Sequence, residues 1–564
     1  MGLICGLKLT HDGGLALLEP NPHGTKLVAA TEVEKHDNFL RHASLNDAAL
    51  IGRLIRELGH SVEDIDRFVV DGWGPEAVDP GLPIDTPMGG QMIQTAPYRQ
   101  TDDNNPVLHC YRPGSTLFVA GTCHAYESYR HVEAHLASAY LTSPAALEGL
   151  PALVLIWDGA LFPVLYFVDP RSATVQYRDW LFGVLGSVYE AFSSNVPPFV
   201  PDQDWSERIK FRFRMTSPGK VMAYAGLGTV REPLVCEIRR ALSVLDGRWD
   251  APTVLYGQVE AAIRRYDVDG ASVLASFQEA FGRLLVDRLA DAVRTLSTPV
   301  RTLCFAGGGA LNIKWNSAIR NSGLFETVWV PPFPNDSGAA IGTACASQMS
   351  RGAFGPLQWD VYSGPHLGVT QTRPGWHGQN CSVEELGALL ANQELPVMVL
   401  SGRAELGPRA LGHRSILASP RRAGMKDTLN NMKGREPYRP VAPMCLEERS
   451  AEIFDPGGAD PFMLFDHYIR PEWLDRIPAV RHVDGTARLQ TVSDRSAPLA
   501  TAIVRSFAAH SGLPVLCNTS ANYHGRGFFP DVQSAMDWGG ISHIWSDGVL
   551  YSAPDNGAVS ESPV

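Results

Sequence analysis

The 564-residue sequence is poor in lysine and has no excess of positive charge: eight of its 48 basic residues are lysine, and the formal net charge is −12. None of its nine cysteines forms a Cys-x-x-Cys pair, and no run approaches the roughly 20 apolar residues that cross a bilayer. The first 18 residues lack the pattern of a signal peptide. These absences argue against a zinc knuckle, a membrane protein and a protein whose main role is nucleic-acid binding. We expect a cytoplasmic protein with free thiols.

The length predicts at least two domains, because one hydrophobic core does not grow to this size. Strand–turn–strand patterns at residues 3 to 19 and 153 to 169 predict a duplicated α/β core. Helical periodicity is found over residues 46 to 59, and roughly over 219 to 245 and 271 to 297. We predict a large domain over 1–350, a linker over 351–372 and a smaller α/β domain over 373–564.

Two histidines in His131-Val-Glu-Ala-His135 are spaced as i and i+4, which places both imidazoles on one face of a helix, about 6 Å apart. That spacing allows both to bind one metal ion. Asp336, which follows an apolar strand beside a glycine turn, is a candidate third ligand. Two histidines and a carboxylate suit a divalent iron or a similar Lewis acid. Two solvated or core histidines are the alternative.

Glycine turns follow three of the predicted strands. Gly308 and Asn312 lie in the turn Gly-Gly-Gly-Ala-Leu-Asn, Asp158 precedes a glycine, and His11 and Asp12 precede a glycine pair. Amides in such turns can bind an anion or a nucleotide, and His11 or Asp12 could act as a base toward a hydroxyl. A turn-forming aspartate, a surface histidine and a glycine that serves packing are the structural alternatives.

The C-terminal third contains an arginine-rich segment whose cations alternate with proline, glycine and apolar residues instead of glutamate. That pattern disfavours a salt-bridged helix surface, although a solvated basic face is the usual explanation of a charge run. Fixed arginines with one lysine suit a pocket for several phosphate groups, as ATP and a second phosphorylated substrate would require. The motif residues are Arg409, Arg414, Lys433, Arg435, Arg439, Arg488, Asn518 and Ser520.

Four strings in this segment, GRAELGPRALGHRSILASPR, KGREPYRPVAP, DGTARLQTV and NTSAN, resemble the carboxy-terminal signature of the O-carbamoyltransferases of the NodU and CmcH type. The pieces HVEAH, GGGALN and PNDSG resemble the same family, so the resemblance spans nearly the whole chain. It implies a large domain related to actin and the sugar kinases, in the version used by tRNA threonylcarbamoyl transferases, and a small YrdC-like domain.

The resemblance also implies a reaction in two parts. The small domain would combine ATP, with Mg²⁺, and carbamoyl phosphate into carbamoyl adenylate, with release of pyrophosphate. The large domain would transfer the carbamoyl group to the hydroxyl of a small-molecule acceptor, with the help of Fe²⁺ or another divalent metal. The acceptor would be a natural product, such as a sugar or polyketide.

By motif position, the resemblance assigns roles to individual residues. The metal ligands would be His131, His135 and Asp336, and His11 or Asp12 would serve the acceptor hydroxyl. The adenylate would contact Asp158, Gly308 and Asn312. ATP and carbamoyl phosphate would be bound by Arg409, Arg414, Lys433, Arg435, Arg439, Arg488, Asn518 and Ser520.

The sequence departs from the family pattern at Val132, at Ala521 and in the string Glu32-Val-Glu-Lys35. A Pro- and Gly-rich stretch between about 74 and 115 has no matching motif, and we expect it to shape the acceptor site. A protein-maturation carbamoyltransferase and a kinase-like protein acting on tRNA are the alternative functions. No nucleic-acid or membrane partner is expected, and a homodimer is left open.

Overall fold

A computed structural model describes residues 2–21, 24–36, 41–74, 81–99, 106–296, 298–523 and 525–554. The chain forms two compact units. The N-terminal unit consists of Met1–Val33 and His42–Ser363, and the C-terminal unit of Glu34–Arg41 and Gly364–Val564. The division near residue 363 falls inside the segment predicted as a linker, but the transfer of Glu34–Arg41 to the second unit has no signal in the sequence.

The first sheet of the N-terminal unit has six strands and is built around a central hairpin. The hairpin strands are antiparallel, and two further strands lie parallel to the first of them. In spatial order the strands are Leu357–Gln358, Gly24–Glu32, Gly14–Asn21, Leu3–Lys8, Ile65–Asp71 and Tyr126–Tyr129. The strand Leu357–Gln358 shows that the predicted linker begins inside this unit.

The second sheet repeats this arrangement. Its five strands, in spatial order, are Thr174–Trp180, Val164–Asp169, Ala152–Ile156, Thr302–Ala306 and Thr327–Trp329. Adjacent strands are antiparallel within the first three and parallel within the last three, as they are around the hairpin of the first sheet. The predicted duplication of the α/β core is therefore confirmed.

The helices of this unit differ from the sequence prediction in one place. Instead of one helix over 219 to 245, two helices are present, because Pro233 lacks an N–H and is tolerated only at a helix start. The main helices are Ala48–Glu57, His131–Leu141, Val188–Ser193, Glu207–Thr216, Pro218–Ala225, Glu232–Val244, Ala251–Arg265, Gly270–Arg294, Ile313–Asn321 and Ala339–Met349.

The helix His131–Leu141, called the histidine helix below, is buried along its whole length. It packs against the small-residue helix Ala339–Met349, all of whose side chains are buried as well. A Cβ added to Gly342 would lie 2.0 Å from the carbonyl oxygen of Ala134, so this close approach requires glycine. The packing fixes where the two histidines face.

The C-terminal unit contains a mixed eight-stranded sheet. Its strands, in spatial order, are His377–Asn380, Val549–Ser552, His543–Ser546, Val397–Leu400, Arg414–Ala418, Val515–Ser520, Ala442–Leu446 and Gln490–Val492. The helices are Val383–Asn392, Gly424–Met432, Ser450–Ile453, Pro498–Ser511 and Val532–Trp538. A small sheet is formed by Phe454–Asp455, His467–Ile469 and Thr486–Ala487.

The stretch between 74 and 115 lies partly outside the described residues, at 75–80 and 100–105. Its described part is not all loop, since Leu82–Thr86 and Gly89–Ile93 pair as a hairpin. A further hairpin joins Leu117–Val119 to Thr122–His124. None of the described helices is long and apolar enough to cross a membrane.

Candidate active site

Four side chains with metal-binding atoms converge in the N-terminal unit. They are His131, His135, Asp158 and Asp336, referred to here as the histidine–carboxylate cluster, and one donor atom from each lies within 4.8 Å of the others. The histidines come from the first turns of the histidine helix. Asp158 follows the strand Ala152–Ile156, and Asp336 lies in the turn before the helix Ala339–Met349. All four residues are buried.

The distances within the cluster suit a common centre. His131 Nε2 lies 3.1 Å from His135 Nε2 and 3.3 Å from Asp336 Oδ1. Asp158 Oδ2 lies 3.8 Å from His131 Nε2. The structure thus brings the three predicted ligands together. A fourth residue, Asp158, lies with them, although the family resemblance implies that it contacts the adenylate.

A second layer of residues, which are charged or polar, surrounds the histidine–carboxylate cluster and holds it in position. Asp71 Oδ2 bonds His131 Nδ1 at 2.8 Å, which directs Nε2 of the same ring toward the cluster. Lys8 Nζ lies 3.1 Å from Asp71 Oδ2 and 3.0 Å from Asp336 Oδ2. The Tyr98 hydroxyl donates a hydrogen bond to Asp158 Oδ2. Sequence reasoning missed these residues, although Lys8 and Asp71 are charged ends of apolar strands.

The charges of this region are those of a cation site. Burial opposes ionisation of Asp336, but Lys8 and His131 outweigh burial and hold the pKa of Asp336 well below its usual range. Burial also opposes the charge of His131, but Asp71 outweighs burial and raises the pKa of this imidazole well above its usual value. The carboxylates of Asp71, Asp158 and Asp336 therefore exceed the cations of Lys8 and His131 by one negative charge, and by two negative charges once His131 gives up its proton to bind a metal. A divalent cation would balance them.

His11 and Asp12 lie at the edge of this cluster. Asp12 bonds two imidazoles, His11 Nδ1 at 3.0 Å and His42 Nδ1 at 2.9 Å. Burial raises the pKa of Asp12, but the two histidines outweigh burial and lower it, which makes this carboxylate a poor base. His11 is the more accessible group, with 22% of its side chain exposed against 9% for Asp12. The φ angles of Asp12 and His42 are positive, 53° and 61°, and such strain often marks functional sites.

The glycine turn at Gly308 already holds an anion from the protein itself. The Gly308 N–H donates to Asp158 Oδ1 at 2.6 Å, so this amide orients a cluster residue. The Asn312 side chain caps the helix Ile313–Asn321 and exchanges hydrogen bonds with Gln278. The structure gives both residues positioning contacts, and a nucleotide contact of either stays a prediction.

Asp71→Asn tests the role of the second layer. We expect an approximately 10- to 100-fold weaker affinity for a divalent metal, because the amide cannot supply the negative charge that polarises His131. Titration of apoprotein with Fe²⁺, Co²⁺ or Zn²⁺ against a competing chelator measures this. Asp66→Asn, at the exposed end of the same strand, is the control. Equal affinities of all three proteins would contradict this role.

The C-terminal unit holds a group of six cationic side chains, called the cation cluster: Arg41, Arg409, Lys433, Arg435, Arg439 and Arg488. Five of them are the predicted residues, and Arg41 was missed because it lies far away in sequence. Burial is the larger cause and repulsion by the neighbouring arginines the smaller one. Together they lower the pKa of Arg409 to about 10 and that of Arg435 to about 9. The same causes lower the pKa of Lys433 and Arg488 well below their ordinary values.

The described carboxylates do not balance this charge. Among the described residues, those beside the cluster are Glu436, with an oxygen 3.6 Å from Arg439 Nη1, and Asp460 near Arg488. Within the described residues, the buried Nε atoms of Arg41, Arg409, Arg439 and Arg488 have no hydrogen-bond partner. Buried polar atoms rarely stay unpaired unless a ligand or ordered water completes them. The cluster therefore has the chemistry of a polyanion site.

Neutral oxygens complete part of the cluster. Lys433 Nζ bonds the Ser520 carbonyl oxygen, Ser520 Oγ at 2.8 Å and Asn522 Oδ1 at 2.7 Å. Arg435 Nη1 donates to Thr519 Oγ1 at 3.1 Å. Ser520 thus lies with the cluster, and its contact with ATP or carbamoyl phosphate stays a prediction.

Arg414 and Asn518 bond the loop that carries Arg409. Arg414 donates to the carbonyl oxygens of Ser401, Gly402 and His413, so its guanidinium is occupied by its own loop. Asn518 Nδ2 donates to Ala410 O and Gln490 Oε1. These two residues hold the loop that carries Arg409, and a phosphate contact of either stays a prediction.

Buried Glu405 organises the same loop. Its Oε1 accepts hydrogen bonds from the backbone N–H groups of Leu411, His413 and Arg414, at 2.7, 2.8 and 3.0 Å. One carboxylate oxygen therefore fixes three successive parts of the loop. The loop in turn holds Arg409 in the cation cluster despite the repulsion of its neighbours.

Arg409→Met tests whether the charge is uncompensated. Because the folded-state pKa of Arg409 is below its unfolded value, the charged group destabilises the fold at every pH below about 10. We expect the free energy of unfolding of the variant to exceed that of the wild type by about 1–3 kcal/mol in the absence of phosphates. Thermal denaturation at pH 7.5, with and without pyrophosphate at constant ionic strength, measures this.

Pyrophosphate at a hundred times its Kd should stabilise the wild type by about 2.7 kcal/mol and the variant much less. A variant that is less stable than wild type and equally stabilised by pyrophosphate would contradict the interpretation.

Comparison with known families assigns the chain. Residues 3–100 and 119–345 match the Carbamoyltransferase N-terminus, and residues 388–544 match the Carbamoyltransferase C-terminus. The chain therefore belongs to the carbamoyltransferase family, and it is a carbamoyltransferase, as the sequence resemblance implied.

Full-length relatives agree with this assignment. Nodulation protein U of Sinorhizobium fredii is 43% identical over 98% of this chain and 99% of its own length. The 3'-hydroxymethylcephem-O-carbamoyltransferase of Streptomyces clavuligerus is 30% identical over 95% of this chain and 96% of its own. Among solved structures, the activator of the 2-hydroxyisocaproyl-CoA dehydratase from Clostridium difficile covers 62% of this chain and 95% of its own at 12% identity, with a TM-score of 0.34. That score is too low to support an argument.

Proposed function

We propose that this carbamoyltransferase is ATP-dependent and forms carbamoyl adenylate in its C-terminal unit. The cation cluster, whose charge the described carboxylates do not balance, is the observation that carries the proposal. Six cations exceed what one phosphate group needs and suit a nucleoside triphosphate, as its Mg²⁺ complex, together with carbamoyl phosphate. We further propose that this unit is YrdC-like and that the N-terminal unit, with its two similarly ordered sheets, is related to actin and the sugar kinases.

The formation of carbamoyl adenylate requires one water molecule and releases two phosphate products. Water must cleave carbamoyl phosphate to carbamate and phosphate, so that a carbamate oxygen can attack the α-phosphorus of ATP. The bond between the α-phosphorus and the pyrophosphate oxygen then breaks, and the products are carbamoyl adenylate, pyrophosphate and phosphate. Arg409, Arg435 and Arg488 would neutralise the charge that develops on the departing groups.

The second step is group transfer to a hydroxyl in the N-terminal unit. The hydroxyl oxygen would attack the carbamoyl carbon, the bond to AMP would break, and the hydroxyl proton would pass to His11. Asp12, which bonds Nδ1 of His11, would orient that ring so that Nε2 accepts the proton. The name of the cephem relative supports a small-molecule hydroxyl acceptor.

The histidine–carboxylate cluster fits a divalent metal, in our proposal Fe²⁺ or a similar ion. Its donor set of two imidazoles and two carboxylates, the Asp71 contact to His131 and the two negative charges left when both histidines are neutral all favour such an ion. A bound metal would supply a Lewis acid for the charge that develops during transfer. Lys8, Asp71 and Tyr98 would keep its ligands in position.

Arg409→Ala tests the proposed adenylation. Wild-type protein with Mg·ATP and carbamoyl phosphate, but without an acceptor, should release pyrophosphate and not ADP. The variant should lose at least about 100-fold in this rate, because a charge-assisted contact to the reacting phosphates is removed. Arg422→Ala is the matched control, since the Arg422 side chain is 76% exposed and pairs with Glu394. ADP as the sole product would favour the kinase-like alternative.

His131→Ala tests the division of labour between the two units. The variant should lose bound metal, measured by elemental analysis, and should stop carbamoyl transfer, measured as a 43 Da mass increase of an acceptor. Pyrophosphate release should persist. His510→Ala, an exposed histidine of the C-terminal unit, should change neither quantity. Loss of both half-reactions with the metal retained would refute the division.

A further inference from the structure

The segment Glu34–Arg41, called the connecting segment below, lies near the start of the chain but belongs to the C-terminal unit. Two of its side chains contact the phosphate-binding part of that unit. Lys35 Nζ donates to the carbonyl oxygens of Glu405 and Gly407, at 2.7 and 2.6 Å, in the loop that the cation cluster depends on. Arg41 is itself a member of the cluster. The connecting segment therefore supplies both a cation and a support of its loop.

The two residues that flank the connecting segment are bonded to the turn that follows His11, the candidate base. Val33, directly before the segment, donates its backbone N–H to the Gly13 carbonyl oxygen at 2.8 Å. His42, directly after the segment, bonds Asp12 Oδ1 through its Nδ1 at 2.9 Å. Both contacts lie within the N-terminal unit. The chain thus leaves this turn, contributes to the cation cluster and returns to the same turn.

The turn leaves little room for a different arrangement. The Gly13 N–H donates to the Ala43 carbonyl oxygen at 2.8 Å, and a Cβ added to Gly13 would lie 2.3 Å from the Leu45 nitrogen. Asp12 and His42 both have a positive φ, which costs a residue with a side chain free energy. Such strain persists only where the surroundings hold it in place. The hydrogen bond between His42 and Asp12 is one of the contacts that do so.

Arg41 joins this turn covalently to the cation cluster. Its backbone N–H donates to the Gly525 carbonyl oxygen at 3.0 Å, and its buried Nε has no hydrogen-bond partner among the described residues. Its charge repels the guanidinium groups of Arg409 and Arg435. A bound polyanion would replace that repulsion with attraction, which is the differential interaction that a ligand needs to shift a conformational equilibrium. One peptide bond separates Arg41 from His42.

We propose that the connecting segment makes the candidate base depend on the occupancy of the cation cluster. A polyanion on Arg41 would hold the next residue, His42, on Asp12, and Asp12 would then hold His11 in the orientation that accepts the hydroxyl proton. His42 is thus a positioning residue. The base would be ready when the phosphorylated reactants are bound. This inference rests on the proposed function, which makes the cluster the phosphate site and His11 the base.

Pyrophosphate binding to the full chain tests the connection from the N-terminal side. His42→Gly keeps the positive φ but removes the donor, whereas His42→Asn keeps both, because asparagine tolerates this conformation and its amide replaces the ring N–H. Coupling between sites is reciprocal, so His42→Gly should raise the Kd of pyrophosphate about fivefold or more, and His42→Asn less than about twofold. Ala173→Gly, at an exposed turn with a φ of 51°, is the matched control and should leave this Kd unchanged.

The reactivity of His11 tests the connection from the other side. Diethyl pyrocarbonate modifies an imidazole nitrogen that is presented to solvent, and peptide mass spectrometry measures the rate at this residue. Saturating pyrophosphate should raise that rate about fivefold, the lower end of typical coupling between sites. Arg41→Met and Arg439→Met each remove one cation of the cluster, but only Arg41 lies on the connecting segment. Once saturated, the Arg439 variant should keep the response of His11 and the Arg41 variant should lose it.

The outcomes separate this inference from the proposed function, because pyrophosphate release without acceptor is measured on the same preparations. An unchanged Kd in His42→Gly, an equal loss of affinity in His42→Asn, a rate at His11 that does not respond to pyrophosphate, or equal responses of the two arginine variants would each overturn the inference. The proposed function would stand in all of these cases if the wild type releases pyrophosphate. A wild type that does not bind pyrophosphate would overturn both.

Discussion

The constraint on which the other features of the C-terminal unit depend is a group of positive charges that its described carboxylates do not balance. Six cations share one site, and their mutual repulsion together with burial lowers the pKa values of Arg409 and Arg435. Such a group persists only where the surrounding structure holds it in place. Glu405, with three backbone N–H groups on one oxygen, and Arg414, on three carbonyl oxygens, do this for the Arg409 loop. A bound polyanion would relieve the repulsion among these cations.

The N-terminal unit has the opposite electrostatics at its own site. Three buried carboxylates outnumber the single ammonium of Lys8, and the histidines present nitrogen atoms beside them. One unit therefore suits phosphates and the other a cation. This separation matches a reaction in which a phosphorylated intermediate is made in one place and its carbamoyl group is transferred in another. Family membership establishes the carbamoyl chemistry, and the two charge patterns explain how it would be divided.

Local patterns in the sequence predicted those features that depend on neighbouring residues. The i, i+4 spacing of His131 and His135 predicted their common face. The twin hairpins predicted the duplicated core. Nonlocal features were beyond such reasoning. Arg41 joins the cation cluster only because a short N-terminal segment belongs to the C-terminal unit, and Lys8 and Asp71 meet only because their strands are adjacent in the sheet. Arg414 has the same residue type as the cluster arginines, and only its contacts distinguish it from them.

The central claim is that the cation cluster activates carbamate by adenylation. Isotope exchange between labelled pyrophosphate and ATP, in the absence of any acceptor, tests this step alone. The account predicts exchange that requires carbamoyl phosphate and is lost in Arg409→Ala. Release of ADP without any exchange of pyrophosphate into ATP would contradict it.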